Sequence, residues 1–155
     1  MSDQTLILLA KDVRGKTLKR LDPLNEEDAR FAAAGLKNSI LWHAGHALVV
    51  VEHLAMVPLR GGTPSYPAGY YETFSWASDP AKVTKWPTLV EVKQKLSEQI
   101  EKLVHDLEKV DEARLSQIVN PEKGRTLRWS ILHGLHDEAN HQGEIWLLRK
   151  LSGKK

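Results

Sequence analysis

The sequence predicts an all-α fold, a four-helix bundle in a single domain over residues 1–155, and three observations carry that reading. Apolar residues in four stretches recur at three- and four-residue spacing rather than in alternation. Gly and Pro collect between those stretches instead of within them. The chain has 155 residues, a length at which one core rather than two is expected.

The first helix is expected over residues 5–21. Gly15 weakens it without forbidding it, and it stops at Asp22-Pro23 because the residue before a proline is pushed out of helical backbone. The second should start near Asn38 or Ser39, either of which can cap exposed amides, and run through Leu54 to Met56, ahead of Pro58. The third has the clearest pattern. Leu89, Val92, Leu96, Ile100, Leu103, Leu107 and Val110 step by 3, 4, 4, 3, 4 and 3, one continuous stripe, with Pro87-Thr88 at its start. The fourth follows Pro121 and Gly124 over residues 127–151, with Gly153 just past its end.

Residues 58–87 connect the second and third helices and hold five of the seven Pro, all three Tyr, Phe74, Trp76 and Trp86. A connection this long is expected to be a crossover or a functional lid draped over one end of the helices. Its aromatic side chains either plug that end as core or line a site.

Composition removes several function classes. Lys plus Arg number 22 against 20 Asp plus Glu, a net charge of +2, and the longest basic run is Lys154-Lys155, so no phosphate-tracking stripe exists and nucleic acid is not an expected partner. No Cys is present, which excludes disulfides, thiolate metal ligands and cysteine nucleophiles and reads as cytoplasmic. The apolar runs at 6–10 and 47–51 are far shorter than the roughly 20 residues that span a bilayer, so no membrane association is expected. GxSxG, GxxxxGK[ST], GxGxxG, HExxH and CxxC are all absent from the sequence.

Histidine placement carries the chemistry. Six of the seven His fall in two windows: His43, His46 and His53 on the second helix, and His133, His136 and His141 on the fourth. At about 100° per residue the first three lie within roughly 80° of one another, on a face that also carries Val50. Asp137 and His141, four apart, share a face with His133 one turn back, whereas His136 points away. Two facing helices with such groups can build a three-ligand site with open positions for Zn, Ni, Fe or Mn. A helical His is also commonly a hydrogen-bonded surface residue, and His105, off the apolar stripe, is assigned no role. His46 and His141 sit among apolar neighbours, where an unpaired imidazole would bury an unsatisfied nitrogen. Glu138 and Glu144 flank the cluster as potential proton carriers, with solvent exposure the expectation for both. Arg128 and Arg149 could hold an anionic substrate at the bundle mouth.

The stretches NSILWHAGHALVVVEHL (38–54) and LHDEANHQGEIWLLRKL (135–151), with Arg14 and Thr17 on the first helix and the Trp42-x-x-x-His46 spacing, resemble the DinB/YfiT-like superfamily, whose members are regarded as metal-dependent enzymes. The resemblance spans nearly the whole chain in order. It implies up-down-down-up connectivity, which accounts for the long crossover between helices two and three, and a homodimer. It further implies a divalent metal held by His46 from the second helix and by two positions four apart on the fourth. The later of these is His141; the earlier is Asp137, where the family commonly has His. Two His and one carboxylate suit Fe(II), Zn or Mn, and His133, His136 or His43 could substitute under another helix register.

Relatives of this kind include thiol transferases using low-molecular-weight thiols such as bacillithiol or mycothiol, and a thiol-dependent isomerase. The resemblance therefore implies a small-molecule substrate and activation of a thiol or water for S-transfer or hydrolysis. The crowding of aromatic residues in the one long crossover predicts that Tyr70, Tyr71 or Trp76 contributes to the electrophile pocket. The rival reading is a non-catalytic, dimeric small-molecule-binding or stress-response bundle whose metal site is degenerate.

Overall fold

Each long helix begins where a short polar side chain can take the first free amides. In a computed structural model, which describes residues 2–153, Asp3 accepts from the Leu6 amide at the start of α1 (Gln4–Leu21). Asn25 and Asp28 form a reciprocal cap on the short α2 (Glu26–Ala29), and Ser39 caps α3 (Ile40–Val51). A π-helical turn, Glu52–Met56, carries α3 on into α4 (Val57–Arg60). The crossover then contains α5 (Tyr70–Phe74) and a tight turn at Pro80–Lys82. Thr88 and Glu91 cap α6 (Leu89–Leu107) reciprocally, Asp111 caps α7 (Glu112–Leu115), and Thr126 caps α8 (Leu127–Leu151). At each of these caps the side-chain oxygen satisfies an amide that the helix itself cannot, whereas α4 and α5 have no side-chain cap.

Three departures from the sequence reading have local causes. The second helix runs past Met56 to Arg60, because the π turn lets the Val57 amide reach back to the Glu52 carbonyl just before Pro58. Pro58 has no N–H to offer the Leu54 carbonyl four residues earlier, and that carbonyl instead accepts from Ser130 Oγ of α8 at 2.6 Å. The third helix ends at Leu107, although Val110 still packs against the core. The fold is mostly helical rather than wholly so: β1 (Ile118–Asn120) and β2 (Arg125–Thr126) pair antiparallel around a turn at Pro121–Lys123 and lead into α8.

α1 and α3 each pack against both α6 and α8, and α5 lies on α3. The stretch Ile40–Arg60 is long and apolar enough to cross a membrane by length and composition, yet 83% of its most apolar window is buried inside the protein. Gly134 of α8 allows a close approach there, since a Cβ at that position would stand 3.3 Å from Leu54 Cβ.

The apolar core forms two clusters. One gathers Leu41, Leu48, Phe74, Leu96, Ile145 and Leu148; the other gathers Ile7, Val51, Met56, Leu103, Leu127 and Ile131. Between them, by position along α1, α6 and α8, lies a polar layer. Arg14, 1% exposed, donates from Nε and Nη2 to the two carboxylate oxygens of Glu138 at 2.7 and 2.9 Å. Its other donors reach the Leu96 carbonyl at 2.7 Å and Gln99 Oε1 at 2.9 Å. Thr17 Oγ1 donates to Glu138, and Gln142 Nε2 donates to Thr17. Gln99 Nε2 passes the chain to the Leu48 carbonyl and to Glu52, whose second oxygen accepts from the Ser65 amide and hydroxyl.

Glu138 is therefore not solvent-exposed as expected, but fully buried. It lies about 100° round α8 from Asp137, so it faces α1, where a guanidinium with a complete set of acceptors makes a buried carboxylate tolerable.

Glu138→Ala should leave the Arg14 charge uncompensated and cost about 3–5 kcal/mol of unfolding free energy. Urea denaturation is the check, and the double variant Arg14→Met/Glu138→Leu should recover most of that loss because both buried charges go together.

Candidate metal centre

α3 and α8 bring His46, Asp137 and His141 together. Asp137 Oδ2 lies 3.6 Å from His46 Nε2 and 3.5 Å from His141 Nε2, and one donor atom from each residue falls within 4.8 Å of the others. Ligand bonds of about 2.1 Å in a tetrahedral site put donor atoms about 3.4 Å apart, so both carboxylate–imidazole spacings match a shared cation. Asp137 Oδ2 is buried and makes no hydrogen bond. An orphaned carboxylate oxygen is costly, and a cation between it and two imidazole lone pairs removes that cost. The residues present therefore fit a divalent ion.

Neighbouring groups set which ring nitrogen is free. His46 Nδ1 lies 2.6 Å from the Phe74 carbonyl; a carbonyl can only accept, so Nδ1 carries the proton and Nε2 keeps its lone pair. His141 Nδ1 lies 2.8 Å from His43 Nδ1, and the tautomer that frees His141 Nε2 has His141 donating to His43. Trp42, four residues before His46, stacks on it at 4.5 Å and 16°, and its Nε1–H donates to Ser78 Oγ at 2.9 Å.

The electrostatics keep these imidazoles neutral. Burial, with His141 and His46 adding repulsion, lowers His43 to about 3. Burial and His46 lower His141 to about 4, against the opposing pull of Asp137 and Glu138. Burial also lowers His46, opposed by the Phe74 carbonyl and by Asp137. Neutral imidazole is the form that can ligate, so no proton has to be displaced at pH 7.

The remaining sequence candidates lie elsewhere. His53 sits two turns beyond His46 on the π segment, where Nε2 shares a 2.7 Å hydrogen bond with Tyr66 OH. Tyr71 and Trp76 flank His53 edge-on at 5.4 and 5.7 Å, whereas Tyr70 is buried against Phe74 and Tyr66. His133 is exposed and stacks on Trp129; His136 and Glu144 are exposed. Arg128 pairs with Asp3 and Glu112, and Arg149 donates to the Arg20 carbonyl at 3.0 Å, so both tie helix ends together. Sequence reasoning missed the Phe74 carbonyl, a backbone atom without residue identity. It held His43 as a substitute ligand, not as the partner of His141.

The family model described as the DinB superfamily matches residues 9–145. The chain belongs to the DinB superfamily. A conserved protein from Enterococcus faecalis shares the fold with a TM-score of 0.68 at 18% identity, over 97% of each chain. The structure titled Sibling Lethal Factor Precursor DfsB does so with a TM-score of 0.67 at 14% identity, covering 100% of this chain and 99% of that one. At these identities the likeness is one of fold alone. None of the curated proteins matches the sequence. DinB membership and the His46–Asp137–His141 group together support a metal-dependent protein.

In the metal-free DinB protein the unfolded chain protonates these histidines below about pH 6.5 while the native state does not. The unfolded state then binds more protons, so stability rises with pH across the window from about 4 to 6.5 and falls as acid is added. Thermal melts between pH 7.5 and 4.5 should show that decline, at roughly 1 kcal/mol per pH unit for each histidine. His43→Asn, which stays polar without titrating, should make the decline shallower by one histidine's share and leave that of His141 and His46.

Proposed function

We propose that this DinB protein is a divalent-metal-dependent enzyme in which His46, Asp137 and His141 hold Zn, Ni, Fe or Mn and a low-molecular-weight thiol or water is activated for S-transfer or hydrolysis. The observation that carries the reading is the buried, unbonded Asp137 Oδ2 facing two imidazole nitrogens. A divalent ion bound there lowers the pKa of a coordinated thiol or water, giving a nucleophile at neutral pH without a protein cysteine. His46 and His141 supply neutral donors, Asp137 supplies the compensating charge, and the Phe74 carbonyl and His43 fix the two rings. Tyr71 and Trp76, gathered around His53 two turns beyond His46, offer ring surface for an electrophile, Trp76 being 61% exposed, whereas Tyr70 packs into the core.

The order of interhelical contacts supports up-down-down-up connectivity. Asp3–Arg128, Arg14–Glu138 and Arg20–Arg149 ascend together along α1 and α8, as do Glu52–Gln99 and Arg60–Asp106 along α6 and the π turn and α4 that continue α3. His43–His141 and Leu54–Ser130 run in opposite order along α3 and α8. Exposed Leu8 and Leu9 on α1 and Leu132, Trp146, Leu147 and Leu151 on α8 offer apolar surface to a second copy, supporting a homodimer.

The carboxylate at 137, where relatives commonly have His, favours a second reading: a non-catalytic dimeric binder with a degenerate site. Metal analysis by mass spectrometry separates the two. Wild type should carry near-stoichiometric metal that is lost in His46→Ala, Asp137→Ala and His141→Ala, together with any thiol-transfer activity. Wild type that stays empty after incubation with Zn, Ni, Mn and Fe(II) would establish the binder instead.

A further inference from the structure

We infer that Gly45 is a positioning residue for His46: by lacking a side chain it seats the Phe74 ring on α3, which places the Phe74 carbonyl to hold the His46 proton on Nδ1. The consequence for metal affinity rests on the metal-dependent reading above; the tautomer assignment does not.

A glycine inside a buried helix costs about 1 kcal/mol relative to alanine, so its presence needs a packing reason. At position 45 the reason is specific. A Cβ there would stand 2.4 Å from Phe74 Cδ1 and 2.5 Å from both Cε1 and Cγ. Cγ is the root of the ring, so no rotation about the ring axis relieves the overlap. Nor has the ring room to retreat: Phe74 is 0% exposed, with Tyr70 edge-on at 5.4 Å and Trp86 at 5.9 Å on other sides.

Phe74 is also the last residue of α5, where a carbonyl has no partner within its own helix. That carbonyl is the one 2.6 Å from His46 Nδ1. One residue thus makes two adjacent contacts on α3, its ring on Gly45 and its carbonyl on His46. The crossover grips the site a second time through Ser78, which accepts from the Trp42 indole stacked on His46. With Nδ1 bonded, the electron pair of His46 is left on Nε2, facing Asp137. Without an acceptor at Nδ1 the proton can sit on Nε2 and occupy the position a metal would need.

The test is long-range proton–nitrogen NMR of the histidine rings in metal-free protein, paired with competition titration of Zn. Wild type should show His46 protonated at Nδ1. Gly45→Ala should shift that proton toward Nε2 and weaken Zn binding about 10- to 100-fold. Gly45→Ala/Phe74→Ala, which removes the ring that the added Cβ would meet, should match Phe74→Ala alone in both readouts. A wild-type His46 protonated at Nε2 would overturn the inference even if Gly45→Ala does not fold. So would a folded Gly45→Ala with the wild-type tautomer and Zn affinity, or a double variant that loses more than Phe74→Ala alone. Tautomer changes as expected in a protein that binds no Zn at all would uphold the positioning role and remove the metal-dependent reading.

Discussion

A buried guanidinium must have acceptors on every side, and the Arg14–Glu138 pair shows how far that requirement reaches. Satisfying Arg14 draws in Glu138 from α8 and the Leu96 carbonyl and Gln99 from α6. Satisfying Gln99 in turn draws in Leu48 and Glu52 from α3 and its π turn, and Glu52 reaches Ser65 in the crossover. Shape complementarity among aliphatic side chains tolerates sliding; a buried charge with fixed donor directions does not. The pair therefore sets the axial register of the helices. It also sets the rotation of α8, because Glu138 turned toward α1 leaves its neighbour Asp137 turned toward α3 and His46.

The candidate centre is built on the opposite principle. Where the polar layer satisfies every member, Asp137 Oδ2 is left without a partner although two imidazoles stand beside it. Those imidazoles are held neutral by burial, so they do not supply the missing charge. One part of the protein spends its polar groups on one another, and the adjacent part keeps a carboxylate oxygen in reserve. Such an imbalance beside a fully satisfied polar layer is what singles out the candidate centre.

Most of the helical framework was legible because local rules act locally. The 3.6-residue apolar stripe of α6, the caps at Ser39 and Thr88, and the stops near Asp22 and Gly153 each depend on residues a few positions apart. The pairing of Asp137 with His141 was legible for the same reason, whereas His46 was singled out from its neighbours by the family resemblance of which the Trp42-x-x-x-His46 spacing is a part. What escaped was non-local or carried by the main chain. The burial of Glu138 depends on a partner 124 residues away. The Phe74 carbonyl has no sequence signature, and the β1–β2 pairing rests on three residues against two, too few to show alternation. The run past Pro58 required knowing that Ser130 would take the Leu54 carbonyl.

The polar layer has one more consequence, for how the chain can change. Because it lies between the two apolar clusters, a cavity or an overlarge side chain in the half containing Ile7, Leu103 and Leu127 is absorbed within a cluster to which Trp42 and Phe74 do not belong. That half can drift in sequence as long as Arg14 keeps its acceptors. The other half cannot, since its core residue Phe74 is simultaneously packing material and the orienting contact of His46. Divergence among proteins of this architecture should therefore be uneven along each helix, loose at one end and tight at the other.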